Sequence, residues 1–289
     1  MTHSTAFDTT AIQKQKPQKE RIWELDFLRG ICVLLMVFDH AMYDIGSLFN
    51  EAWIATGKEN IITLVRLAQN YFDNSELRFT VQNIVVWIFA LLCGISCSFS
   101  RNNLKRGVQA SIIAGIITIV TFFMDTVIKF GILHMFAFSI LLWWLIDTLC
   151  CHKKMITAGV CLFLGVMIIL LNDALLSAYS SNHQIFSDDN TWYFIGKFML
   201  GNPTSFSSAD YYPIFPTTGY MLIGAGISVI LYPKKRSLLP WLGKYDWYKP
   251  FNFWGKIAIW VYAFHQVAVV VILALISFLF ITPGDFVVI

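Results

Sequence analysis

Charge is what this chain lacks. Asp, Glu, Lys and Arg make up 13% of its 289 residues, about half of the roughly 25% found in a soluble domain. A globule of this size could not cover its surface with so little charge, so a soluble fold is excluded. The 57% share of hydrophobic side chains excludes a disordered chain as well. Cysteines are few and poorly placed for chemistry. Cys32, Cys93, Cys97 and Cys161 lie inside apolar runs, and Cys150 and Cys151 sit where a run meets a basic cluster. No pair has metal-ligand spacing with His partners, so neither a metal nor a disulfide is expected. The net charge of +3 is scattered in short clusters between apolar runs, which is no nucleic-acid footprint. Residues 1–25 are polar and lack an apolar stretch with a small-residue cleavage site, so they read as a cytoplasmic tail, not a signal peptide. Internal repeats and matched Gly/Pro-broken spans, the marks of an inverted-repeat transporter, are missing too.

Long apolar runs are what is there. Seven are read, at about 27–49, 81–100, 108–128, 131–150, 155–176, 214–232 and 256–281, each of a length that crosses a bilayer. The expected fold is therefore an all-α, polytopic membrane helix bundle of about seven transmembrane helices, one domain over 26–289. Segments 50–80 and 177–213 fall outside the spans, the second with an interfacial piece around Trp192–Leu200. Basic residues favour the cytoplasmic side. With the N-terminus inside, 16 of the 21 Lys and Arg fall there, and five, Lys58, Arg66, Arg78, Lys129 and Lys197, fall outside.

The first span carries charge that asks for a reason. A charged side chain at a helix centre costs about 2.5–3.5 kcal/mol on insertion scales, yet the span holds Asp39, His40 and Asp44, with Asp26 and Arg29 at its start. Arg29 and His40 are eleven residues apart, close to three whole turns and about 16 Å along the axis. Asp26 lies three residues before Arg29 and Asp44 four after His40, so both share that face, while Asp39 points about 100° away. Val33 and Val37 lie between. A carboxylate one turn from an imidazole can fix its tautomer and stabilise the imidazolium, the arrangement of a general base. The same pair could also simply bond two helices together.

At these residues a family becomes recognisable. RIWELDFLRGICVLLMVFDHAMYD (21–44) resembles the start of the catalytic domain of the heparan-alpha-glucosaminide N-acetyltransferase family and its shorter bacterial relatives. The Arg29-to-His40 spacing resembles the first-span motif of the wider transmembrane acyltransferase superfamily. FALLCGISCSFSRNNLKRG (89–107), FGILHMFAFSILL (130–142), YYPIFPTTGYMLIGAGIS (211–228) and GKIAIWVYAFHQ (255–266) are similar to later family segments, in order. The resemblance implies a membrane enzyme that moves an acetyl group from cytoplasmic acetyl-CoA to an amine or hydroxyl of a sugar on the far side. No metal is implied.

On that reading His40 is the base or acyl carrier, with Asp44 and Asp39 beside it. Arg29, Asp26, Arg101, Lys105 and Arg106 are candidates for the coenzyme A phosphates, although the positive-inside rule alone accounts for the last three. His134, His265, Gln266, Tyr211 and Tyr212 are candidates for the acceptor. The aromatics could equally be interfacial anchors, and the mid-membrane His265 and Gln266 could serve helix–helix hydrogen bonds. Expected partners are a saccharide acceptor, membrane lipid and, optionally, a second copy of the chain, with a bacterial plasma membrane as the location. A transporter or proton relay using the buried His and Asp is the alternative.

Overall fold

The computed structural model describes residues 22–123, 127–181, 198–200, 208 and 210–280. The expected tail up to residue 21, Asp125, Asp188, Asp189 and residues 192–197 of the interfacial piece lie outside the described residues. Nearly everything described is helical. α1 (Trp23–Tyr43) runs through a π-turn (Asp44–Leu48) into the short α2 (Asn50–Ala55). α3 (Glu59–Asn74), α4 (Glu76–Phe99), α5 (Asn103–Phe122), α6 (Ile132–Leu149) and α7 (Lys154–Ser181) follow. α8 is Thr217–Leu231, α9 Lys249–Lys256 and α10 Ala258–Phe280. Local chemistry sets several starts. Ser75 accepts the Arg78 N–H at 3.0 Å to open α4, and Asn102 accepts the Lys105 N–H at 2.9 Å to open α5. Pro250 occupies the first turn of α9, where no intrahelical bond needs its missing N–H.

Among the described residues six helices are long and apolar enough to cross a membrane: Trp23–Leu48, Glu76–Phe99, Asn103–Phe122, Ile132–Leu149, Lys154–Ala178 and Ala258–Leu279. The helix at the remaining expected span, 214–232, is shorter; the 15 residues of α8 rise about 22 Å. Ile112, Ile116 and Ile119 of α5 face outward and are more than half exposed, an apolar surface that suits lipid and not water. These features make the chain an integral membrane protein.

Two packed groups position the site. Met135, Phe136, Cys161, Met221 and Leu222 form a core among α6, α7 and α8, joined by Ala90 and Cys97 of α4. Within it the hydroxyls of Ser139 and Thr218 bond at 2.8 Å. The second group involves the stretch 50–80, which proves to be helical and part of the bundle. Val65 and Ala68 of the amphipathic α3 are fully buried against Met42, Ile45, Val269 and Leu273. At the other end of α1 the backbone of α9 comes into direct contact. A Cβ on Gly30 would stand 2.0 Å from the Phe251 carbonyl oxygen, and one on Gly255 1.8 Å from that of Asp26. Trp23, Phe27, Trp247, Tyr248 and Phe251 close around this crossing, with ring centroids 4.6 to 6.1 Å apart.

Candidate active site

α1, held at both ends, supplies one wall of a cavity that also draws on α3, α4, α6, α10 and residues 210–212. The cavity encloses about 930 Å³ of empty space, counted to its open mouth. Cys32, Val33, Met36, Asp39 and His40 come from α1. Val86, Phe89 and Phe136 give it apolar walls, and Tyr71, Arg78, Gln82, Asp210, Tyr212 and Tyr262 give it polar ones.

His40 Nδ1 lies 2.9 Å from the Met36 carbonyl oxygen of its own helix. A carbonyl only accepts, so Nδ1 donates, and in the neutral ring the lone pair is then on Nε2. This is the tautomer a general base requires, and the backbone sets it. The partnership expected between His40 and Asp44 is replaced. Asp44 is 1% exposed, and its carboxylate accepts from Gln266 Nε2, with its two oxygens at 2.9 and 3.1 Å. A buried carboxylate needs a donor, and α10 supplies it. His265 donates through Nδ1 to the Tyr262 carbonyl, 2.8 Å away, and its ring meets His40 edge to face with centroids 4.7 Å apart. His265 and Gln266 thus form a layer behind His40 and do not line the cavity with the acceptor groups.

Asp39, expected to point away from the His40 face, is on the cavity wall beside it. Its carboxylate is held in an ion pair. Arg78 grips both its oxygens, Nε at 2.8 Å and Nη2 at 2.9 Å, and the Tyr71 hydroxyl donates to Oδ1 at 3.2 Å. The Arg78 guanidinium also lies 3.5 Å from the centre of the Phe72 ring. This clamp joins α1, α3 and α4.

Residues 210–212 are pinned to the start of α6. Phe130 and Tyr211 pair as an isolated parallel bridge, and Tyr212 N–H donates to the Phe130 carbonyl at 3.3 Å. The Ile132 N–H donates to Asp210 Oδ2 at 3.3 Å. That oxygen would lie 2.4 Å from a Cβ on Gly131, so the glycine is what lets the carboxylate in. Burial pushes the Asp210 carboxyl up, opposed by the Ile132 N–H and by nearby His40. Tyr212 accepts from Gln82 Nε2 at 3.3 Å, and burial, with Asp210 adding to it, pushes its phenol up to about 12. Tyr211 turns elsewhere: its hydroxyl donates to the Phe198 carbonyl, and burial pushes it up to about 12.

His134, expected to contact an acceptor, has both ring nitrogens bonded within the protein. Its Nδ1 accepts from the Gly131 N–H at 3.2 Å, so Nε2 carries the proton to Thr118 Oγ1 at 3.1 Å. It caps α6 and ties it to α5. At the Trp23 end of α1, Arg29 donates to Asp26 Oδ1 at 2.9 Å, to the Leu92 carbonyl at 3.4 Å and to the Ser96 hydroxyl. Arg106 reaches the carbonyl of the same Ser96 at 3.2 Å and Asn103 Oδ1 at 3.1 Å. Two guanidiniums therefore meet across one serine. Arg101 and Lys105 are exposed and take no part in that meeting. Tyr71, Arg78, Gln82 and Tyr262 are not among the expected site residues, whereas Asp210 opens the segment considered for the acceptor. The charge pattern places Arg78 only among five basic residues on the far side, and the charge of Asp39 is the sole sequence signal that a cation has to come from another helix.

A polytopic bundle with an imidazole on the wall of an internal cavity, and paired guanidiniums one helical turn beyond it, is the layout of an integral membrane protein built around a reaction or transport site. Comparison supplies the family. The sequence profile described as heparan-alpha-glucosaminide N-acetyltransferase, catalytic, matches residues 21–267. The chain belongs to that family of membrane acetyltransferases. No curated protein and no solved structure matches it.

Proposed function

We propose that this protein transfers an acetyl group from acetyl-CoA to an amine or hydroxyl of a sugar on the opposite side of a membrane. The observation that carries the reading is His40, a base in the correct tautomer on the wall of a cavity that begins one turn of α1 from Arg29. Arg29 and Arg106 suit the phosphates of the donor, since guanidinium grips phosphate through parallel hydrogen bonds. Cys32, Val33 and Met36 give the pantetheine arm an apolar wall. The axial gap from Arg29 to His40, about 16 Å, is of the order of that arm when extended. The acceptor nitrogen or oxygen attacks the thioester carbonyl carbon as its proton passes to His40 Nε2. The C–S bond then breaks, and the departing thiolate takes that proton. Attack by Nε2 itself, through an acetyl-imidazole, gives the same products.

The Asp39–Arg78 clamp holds α1 and α4 at the acceptor end, and the cavity's Tyr and Gln groups offer hydrogen bonds to sugar hydroxyls. The 16-to-5 split of basic residues favours a cytoplasmic N-terminus, which puts Arg29 on the acetyl-CoA side; the bacterial plasma membrane is the setting we favour. The test is incubation of purified protein with isotope-labelled acetyl-CoA and a sugar panel, followed by mass analysis. Labelled acetyl-sugar is the expected product. Gradient-driven sugar uptake into proteoliposomes without CoA, and no labelled product, would overturn the reading in favour of a transporter.

A further inference from the structure

Building on the acetyl-transfer reading, we infer that the acceptor sugar is carried on a lipid, which reaches the cavity from within the membrane by a side opening between α1 and α4. The two helices are bonded to each other at two levels. Arg29 donates to the Leu92 carbonyl and the Ser96 hydroxyl, and Arg78 grips Asp39. From Arg29 to Asp39 is ten residues of α1, and from Arg78 to Leu92 fourteen of α4, so the levels stand about 15–21 Å apart along the axes. Between them both helices line the cavity. Three residues of the described wall are exposed, and all three stand on these two helices: Leu35 and Phe38 of α1, at 39% and 52%, and Val81 of α4, at 37%. Every other described wall residue is buried or half-buried. The cavity therefore opens between α1 and α4, and the rim of the opening is apolar.

That rim faces hydrocarbon. Both helices are long and apolar enough to cross a membrane, and Leu35 lies midway along Trp23–Leu48. Leu28 continues the exposed face of α1, and Leu77 and Ile84 continue that of α4, at the spacings of one helix face. Whatever passes such a rim is already dissolved among acyl chains. A free sugar is not, because its hydroxyls would leave water with nothing to bond. An amphiphile is, and the polarity of the cavity matches one. Arg78 and Gln82 stand near the start of α4, with Tyr71 and Tyr212 bonded to the same groups. Val85, Val86 and Phe89 follow along that helix and make the wall apolar. A sugar held at the polar end, beside His40, leaves its lipid chain running out past Leu35 and Val81. The head group stays on the side of residues 210–212, and only the chain meets the membrane interior.

The test places the full-length protein in phospholipid bilayers with labelled acetyl-CoA and two acceptors that share a head group, methyl glucosaminide and hexadecyl glucosaminide. Wild type is compared with Leu35→Trp and Val81→Trp, which add bulk at exposed positions of the rim. Wild type should acetylate the hexadecyl compound more efficiently. Enrichment of an amphiphile in the bilayer would do the same, but it would not depend on the rim. Each tryptophan should therefore lower kcat/KM for the hexadecyl acceptor by roughly ten- to a hundredfold, the size of an overpacking penalty, and leave the methyl acceptor and acetyl-CoA binding unchanged. A second measurement needs no variant. Hexadecyl glucosaminide with a diazirine on its chain should label peptides containing Leu35 and Val81 more strongly than a phospholipid with the same diazirine does. Equal use of the two acceptors by wild type, a preference that survives both tryptophans, or labelling no different from that of the phospholipid would overturn the inference. So would transfer from palmitoyl-CoA that outpaces acetyl-CoA and is lost in the tryptophan variants, which would give the opening to the donor. The two readings separate cleanly. Chain labelling at the rim without any acetylated product keeps lipid access and removes acetyl transfer, whereas equal product from both acceptors without rim labelling keeps acetyl transfer and removes lipid access.

Discussion

Cutting the clamp between Asp39 and Arg78 should destabilise the bundle in a way that reveals the pair. The two side chains are 15% and 11% exposed, and Arg78 binds both carboxylate oxygens within 2.9 Å. Solvent screening is therefore weak, and removing one partner leaves a buried charge that the other no longer balances, typically at about 3–5 kcal/mol. Arg78→Ala should fall at the upper end, because the stacking on Phe72 goes with it. Asp39→Ala should fall lower, since the Tyr71 hydroxyl loses one hydrogen bond while Arg78 keeps its contact with Phe72. The double variant Asp39→Ala/Arg78→Ala leaves no unbalanced charge, so its total cost should lie below the sum of the singles by about 1–3 kcal/mol. Unfolding in mixed micelles with increasing SDS, followed by tryptophan fluorescence, measures all four corners of the cycle. Additivity within about 0.5 kcal/mol would show that the pair does not hold α1 to α4, and the clamp would have to be abandoned.

Three further outcomes are expected. His40→Ala should lower turnover by about 10²–10⁴-fold while leaving acetyl-CoA binding intact; wild-type turnover in a folded variant would remove His40 from the reaction. Arg29→Ala should weaken acetyl-CoA binding by roughly ten- to a hundredfold, whereas Arg101→Ala should barely change it, and calorimetry that ranks them the other way would relocate the donor site. Gly255→Ala should destabilise the protein by about 1–3 kcal/mol or more, since the new Cβ would stand 1.8 Å from the Asp26 carbonyl oxygen; an unchanged unfolding midpoint would mean that α9 is not packed on α1 as described.

The sequence disclosed the bundle and the polar first span, because hydropathy and a helical period are local properties. It missed what depends on residues far apart in the chain. Asp44 seemed to belong to His40 because four residues make one turn, but its donor is Gln266, 222 positions away, and the helix changes to a π-turn at Asp44 itself. Arg78 reaches Asp39 across 39 positions, and nothing at the start of α4 announces that partner. The stretch 50–80 looked like an extramembrane connection because α3 is too polar for a span. Its apolar face, Val65 and Ala68, covers only one side, which is what packing against α1 and α10 requires. His134 drew notice as a histidine near a helix start, and that position is itself the explanation, since the ring closes the cap on Gly131.

The shortness of α8 changes the medium in which any chemistry takes place. Its rise of about 22 Å falls about 8 Å short of a typical hydrocarbon thickness of about 30 Å. Lipid alongside it must thin, at a cost of fractions of a kcal/mol per Å. The irregular backbone of 210–216 leads into it, and its N–H groups at Tyr212 and Phe215 are met by the carbonyls of Phe130 and Met199. Such backbone is tolerated at membrane depth only where protein or water surrounds it. A cavity mouth beside that backbone borders protein and water and not acyl chains. On the acetyl-transfer reading the bulky sugar never enters oil, and the insulating slab that a two-carbon cargo has to traverse is thinner than the membrane in which the protein sits.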